Sequence, residues 1–295
     1  MTAYRCAVAS LRRHEPLFAT ASRVDRWLLV EHGNAWSGET VPRFKLDGAV
    51  VDALERLARR AQARLLLVRR PGRASNTGRR LFFADSRPGS EALATREVRR
   101  DEDLLDLELP SAAPQAWSAP PHRLLLVCTH GRHDPCCAIW GRPVADALAA
   151  RYPAETWECT HIGGDRFAPN LVVLPEGYYF GRVLPAEAAG IVAALASGRL
   201  AGGSLRGRSS LSLPAQAAQY FARATLNNED AGDLAPVAVR RVGESSFEVL
   251  LGLAGRGEVA VTVRRVLPPL AHRLTCHASE SRRAPAYELV DLSTG

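Results

Sequence analysis

Four of the chain's six cysteines fall within residues 123–183, together with His130, His133 and His161. This stretch opens RLLLVCTHGRHDPCCAIWGRPVADAL and continues WECTHIGGDRFAPNLVVLPEGYYFGRV. Thiolates and imidazoles are the side chains that hold soft and borderline metals, and here the chain concentrates them. Cys128 ends an apolar run, at the carboxyl end of a strand, where α/β folds open a ligand crevice. The loop THGRHDPCC leads into a helix start. That places Cys136 and Cys137 where free N–H groups and the helix dipole favour thiolates. His161 and Asp165 are four apart, across two glycines that permit a tight turn; histidine is a common metal ligand and aspartate a possible one. Each residue also has a plainer reading: Cys128 as core, the doublet as incidental, His161 in a glycine turn. Taken together they point to a bound metal.

The elements that must position these residues can be read from periodicity. Residues 123–127 form a continuous apolar strand. A helix begins near Asp134 or Pro135 and runs on through residues 143–152. Residues 157–160 are a short strand, and residues 170–174 and 178–183 pair through the turn PEG. Residues 185–200 are an amphipathic helix. This order, βαβ followed by a hairpin and a helix, is the thioredoxin-like arrangement.

Upstream, residues 1 to about 30 read as irregular until the strand DRWLLVE. A helix over residues 46–63, with Asp47 as N-cap, precedes the strand at residues 64–69. The stretch PGRASNTG lacks the GxxxxGK[ST] phosphate-loop pattern and reads as a plain turn before the strand LFFADS. Cys6 stands alone and reads as a small buried residue. Residues 101–121 are acidic and then rich in Pro, Ala and Ser, which reads as a linker. Downstream, residues 211–225 are helical, and VAVRRV, FEVLLGL, EVAVTVRRV and AYELVDL alternate as antiparallel strands with one covered face. The fold class expected is α/β (α+β overall). Its parts are an N-terminal α/β segment and linker (1–120), a central thioredoxin-like domain (121–204), and a C-terminal helix with antiparallel strands (205–295).

Composition sets the bounds. The chain has 295 residues, 46% hydrophobic and 23% charged, which suits a soluble globular protein. No apolar run reaches the roughly 18 residues a membrane span requires. The N-terminus lacks the apolar centre of a signal peptide. These features point to the cytoplasm, where six cysteines serve metal or redox chemistry rather than a disulfide frame. The net charge is +7, but Lys45 is the only lysine and the arginines are scattered, so nucleic acid is not expected. A basic surface suits an acidic protein partner.

The residues CTHGRHDPCCA, HIGGDRFAPNLVVLPEG and YYFGRV resemble the sucrase/ferredoxin-like family, relatives of the thioredoxin-like [2Fe-2S] ferredoxins. EPLFATASRVDRWLLVE and CHASESRRAPAYEL extend the resemblance over most of the chain. It implies a [2Fe-2S] cluster held by two cysteines after the first strand and two ligands on the later loop. By position, Cys128 and Cys137 match the first pair, with Cys136 the alternative within the doublet. His161 matches the first histidine of the HxxxH found in some eukaryotic members. Asp165 stands in place of the second. Carboxylate ligation of such a cluster is uncommon, so Asp165 has a second reading as an acceptor that orients His161. Cys159 or the spare cysteine of the doublet would then be the fourth ligand.

Electron transfer is therefore the expected function, with thiol redox chemistry, structural zinc on Cys128, Cys137 and His161, or no cofactor as alternatives. No paired carboxylates suit sucrose cleavage, so a carrier rather than a catalyst is expected. His130 is a candidate hydrogen-bond donor to cluster sulfurs, whereas His133 reads as a solvated loop residue. Arg132, Arg166 and Arg182 are candidates for an electropositive rim that docks an acidic reductase or acceptor.

Overall fold

The computed structural model describes residues 3–36, 46–72, 78–120, 122–200, 202–255 and 257–294. Most of the PGRASNTG loop lies outside them. Two sheets carry the architecture: one of nine strands and one of four.

The centre of the large sheet is the predicted βαβ–hairpin–α unit. Strand β5 (Leu124–Cys128) is followed by helix α3 (Pro135–Arg151) and β6 (Thr156–Cys159), which pairs parallel to β5. Then β7 (Asn170–Leu174) and β8 (Tyr178–Gly181) form an antiparallel hairpin beside β5. Helix α4 (Pro185–Ala196) packs with α3 on one face, closing a core of Leu125, Val127, Val173, Phe180, Val144, Leu148 and Ile191. The spatial order β6-β5-β7-β8 is the thioredoxin-like arrangement.

The N-terminal segment extends the same sheet. Strand β1 (Arg26–Glu31) and β2 (Ala63–Arg69) run parallel around helix α2 (Gly48–Arg60). Asp47 caps α2 as predicted, its side chain accepting from the Ala49 amide at 2.7 Å. Strands β3 (Arg79–Asp85) and β4 (Ala92–Val98) complete that edge, and β2 joins β6 through a short antiparallel register, Val68 to Cys159 and Arg69 to Glu158. The sheet coils on itself. Phe82 of β3 and Trp157 of β6 are three strands apart, about 14 Å if the sheet were flat, yet their rings are 5.2 Å apart. The stretch 101–121 reads as a linker by composition, but within its described residues Leu104, Leu107 and Trp117 are buried against α2 and its strands.

Three elements escape the sequence reading. Helix α1 (Cys6–Arg12) begins at Arg5 with no side-chain cap, so no start signal precedes it. The edge strand β4 lacks a clean alternation. Strand β9 (Leu205–Arg208), LRGR, has poor strand composition but adds to β8, so the central sheet continues past residue 204.

Helix α5 (Leu213–Leu226) covers the second sheet, made of β10 (Ala235–Arg241), β11 (Ser246–Leu253), β12 (Gly257–Val266) and β13 (Ala286–Thr294). Val249, Leu251, Val259, Val261 and Val263 alternate toward Ala218 and Ala222 of the helix. The covered face is as the period-2 pattern predicts. No helix among the described residues is long and apolar enough to cross a membrane.

Candidate metal centre

Cys128 is the last residue of β5 and is 1% exposed. Gly141, nearly two turns into α3, lies against its carbonyl oxygen so closely that any Cβ would overlap it. The helix can therefore approach the strand end, and Cys137 in its first turn comes down over Cys128. Asp134 caps this helix, its side chain accepting from the Cys136 amide at 2.9 Å. Consecutive helix positions point about 100° apart, since 3.6 residues make a turn. Cys137 turns into the sheet-side site, and Cys136 turns away from it.

The second wall is the loop after β6. Gly163 and Gly164 adopt φ of 96° and 83°, a left-handed region open to glycine at little cost. Their turn brings His161 and Asp165 together, with Nδ1 of His161 3.0 Å from Oδ1 of Asp165. The loop's carbonyls are held from behind. Arg64 donates to the carbonyls of His161 (2.7 Å) and Ile162 (3.2 Å). Arg206 donates to Gly163 (3.0 Å) and to the Asn170 side chain (2.8 Å), and Asn170 donates to Gly164 (2.9 Å). Arg206 is fully buried, and burial draws its guanidinium down to about 10. Sequence reasoning passed over Arg64, Arg206 and Gly141, because strand-borne arginines and a mid-helix glycine carry no local signature of a site.

A ring nitrogen of His161 and the Cys128 and Cys137 sulfurs lie within 4.8 Å of one another. Cys137 Sγ is also 3.2 Å from Asp165 Oδ1. The Cys137 thiol has one proton and two acceptors in reach, Cys128 and Asp165. Its hydrogen bond holds Cys128 well below the usual thiol range, while the same bond and burial push Cys137 up. Burial alone would lower His161, but Asp165 and Cys128 outweigh it and raise the imidazolium to about 9. Burial would likewise raise Asp165, yet His161 and Cys137 hold it below the carboxylate range.

These residues fit a soft metal centre. Two sulfurs and an imidazole converge, Asp165 joins His161 and His133 in an adjoining group that shares that imidazole, and the buried Nδ1 of His161 has no well-aligned hydrogen-bond partner despite its nearness to Asp165. Of the alternative ligands, Cys136 belongs to a different cluster, and Cys159, buried beside Cys128 on β6, does not converge with this group. His133 is partly exposed on its loop, as expected, but it also packs against the site. Its ring stacks on His161 with centroids 3.7 Å apart, and its Nε2 is 3.8 Å from Asp165 Oδ2. His130 is fully buried, its Nδ1 accepting from the His161 amide at 3.3 Å. Arg132 is exposed. Arg166 bonds Glu15 at 2.5 Å, and Arg182 bonds Ser10 and the Glu15 carbonyl, each at 2.9 Å. Two of the three expected rim arginines thus anchor α1 and the segment after it. Cys6 does not stand alone either: it meets Cys136 and Cys276.

Comparison with known proteins agrees with the motifs. The sequence model of the sucrase/ferredoxin-like family matches residues 17–207. Altered inheritance of mitochondria protein 32 from Eremothecium gossypii is 31% identical over 152 residues, 46% of this chain and 47% of that protein. Its namesake from Meyerozyma guilliermondii is 34% identical over 79 residues, 23% of this chain and 28% of that one. The chain thus spans about half or less of the curated relatives it matches. Two cysteine-to-serine variants of the thioredoxin-like [2Fe-2S] ferredoxin from Aquifex aeolicus are each 20% identical, with a TM-score of 0.25, over 28% of this chain and 97% of theirs.

Proposed function

The chain belongs to the sucrase/ferredoxin-like family, and on that footing we propose that it is an electron-transfer protein holding a [2Fe-2S] cluster on Cys128, Cys137, His161 and Asp165. The observation that carries this reading is the convergence of two buried cysteine sulfurs and the partly exposed His161 imidazole in the family-matched segment. When bound, the cluster supplies a reversible electron-accepting centre whose potential follows its ligands and their hydrogen bonds.

The chain's own residues prepare the site. Cys128 is held toward the thiolate a metal requires, so the protons to be released on loading are those of Cys137 and His161. Asp165 keeps a negative charge where a second imidazole would be neutral, which favours the oxidised state and a lower potential than a two-histidine site. Arg64 and Arg206 fix the loop from behind, so His161 and Asp165 need little reordering. Arg132 is the exposed cation next to the site that would meet an acidic partner; association insensitive to ionic strength would argue against that contact. Cysteines placed as free thiols would suit a reducing compartment such as the cytosol.

Thiol exchange between Cys128 and Cys137 is a second reading, favoured by the depressed Cys128 thiol. Both sulfurs are only 1% exposed, which denies a protein disulfide the approach this exchange needs. The experiment is anaerobic purification with iron, sulfide and zinc analysis and a visible spectrum. About two irons and two sulfides per chain are expected. Protein that stays colourless and iron-free after reconstitution would sink the proposal.

A further inference from the structure

We propose that Cys6, Cys136 and Cys276, with Asp134, form a second metal site that takes one divalent ion of the zinc class. This inference does not depend on the cluster. The four residues come from α1, the start of α3, and the tail between β12 and β13, yet their ligand atoms lie within 4.8 Å of one another. Sγ of Cys276 is 3.4 Å from Sγ of Cys136 and 3.5 Å from Sγ of Cys6. A tetrahedral zinc with bonds of about 2.3 Å separates its sulfurs by about 3.8 Å, so small shifts suffice. Sγ of Cys6 also lies 3.6 Å and 3.7 Å from the two Asp134 oxygens.

Asp134 is fully buried, and its carboxylate faces the Cys6 thiol and the amides of Cys136 and Cys276. A buried carboxylate facing three thiols calls for a cation. Its oxygens accept from the amides of Cys136 (2.9 Å) and Cys276 (2.7 Å), which aims the carboxylate and leaves lone pairs toward Cys6. Backbone N–H groups also point at the sulfurs: Cys6 donates to Cys276 at 3.4 Å, and Ala7 donates to Cys136. Such N–H···S contacts offset part of the cost of burying a sulfur as its thiolate. Three thiolates select a soft or borderline ion over magnesium or calcium. As the three metal–sulfur bonds form, the thiol protons leave to solvent. Cys276 is partly exposed and gives the ion access. The ion would clasp the first helix and the tail onto the helix that also carries Cys137.

The test uses the full chain carrying Cys128→Ser and His161→Ala, which removes a ligand from each of the two groups at the central site, and reads zinc by mass spectrometry and Co2+ by absorption. About one zinc per chain is expected, with the thiolate-to-cobalt charge transfer and visible bands of a tetrahedral sulfur site. Adding Cys276→Ser should reduce bound metal at least several-fold. Cys276→His should retain the ion with a shifted cobalt spectrum, which separates lost ligation from lost folding. Three results would overturn the site: no zinc or cobalt in the chain carrying Cys128→Ser and His161→Ala, undiminished binding after Cys276→Ser, or a Cys136–Cys276 disulfide in protein kept reduced. Iron loading of the wild-type chain reads the cluster separately.

Discussion

Cys136 and Cys137 are neighbours in sequence, yet they serve two different clusters. Cys137 faces Cys128, His161 and Asp165, a group drawn wholly from one βαβ unit and the loop that follows it. Cys136 faces Cys6, Asp134 and Cys276, which are up to 270 residues apart along the chain. A helix turns about 100° per residue, so a cysteine doublet at its first turn feeds two sites rather than doubling one. The first site is assembled by local topology. The second requires both ends of the chain to be in place. Metal at the second would therefore report on completed folding, whereas metal at the first would not need the tail.

The largest effect that tests this contrast is Cys128→Ser. Iron and visible absorbance should fall to background while zinc stays, and parallel loss of both metals would erase the distinction between the sites. Next is Cys276→Ser. A zinc at a free concentration about 100-fold above its dissociation constant contributes about 2.7 kcal/mol to stability. The variant should lose that much while its iron content is unchanged. Adding a chelator should lower the melting temperature of the parent but hardly that of the variant.

Gly141→Ala sharpens the comparison at the shared helix. Its Cβ would overlap the Cys128 carbonyl oxygen, and overpacking of this kind costs about 1–3 kcal/mol. Denaturant unfolding should show that loss together with reduced iron loading. A change below about 0.5 kcal/mol, the range of neutral surface substitutions, would mean that the helix and strand are not in close contact. The mildest change is Asp165→His, which exchanges an anionic ligand for a neutral one. The chain should still bind iron, with a reduction potential raised by on the order of 100 mV; an unchanged potential would place Asp165 outside the ligand set.

Much of the central site was legible because its residues sit at the ends of strongly patterned elements. LLLVC is apolar at every position, Asp134–Pro135 announces a helix start, and two glycines mark the turn before Asp165. His133 is a partly exposed loop residue, but its stacking on His161 was not legible, because that ring is brought to 3.7 Å by a different loop. Residues 101–121 looked like a linker by composition, yet three apolar residues in them were enough to pin the segment against α2. Cys276 could not be assigned from sequence, since nothing near it is periodic and its partners lie at the other end of the chain.

Local order and donor types were set by the amino-acid pattern: the run of strands and helices, the cysteines and histidines themselves, the capped helix that starts at the doublet, and the covered face of the second sheet. Those depend on short-range periodicity and on backbone rules that act within a few residues. Which cysteine meets which partner was decided by tertiary structure. The coiling of one nine-stranded sheet, the close approach at Gly141, the buried Arg206 behind the glycine turn, and the meeting of α1 with the C-terminal tail all arise from packing between distant segments. Donor identity is written residue by residue, but coordination is a property of distances, and those exist only once the chain has closed on itself.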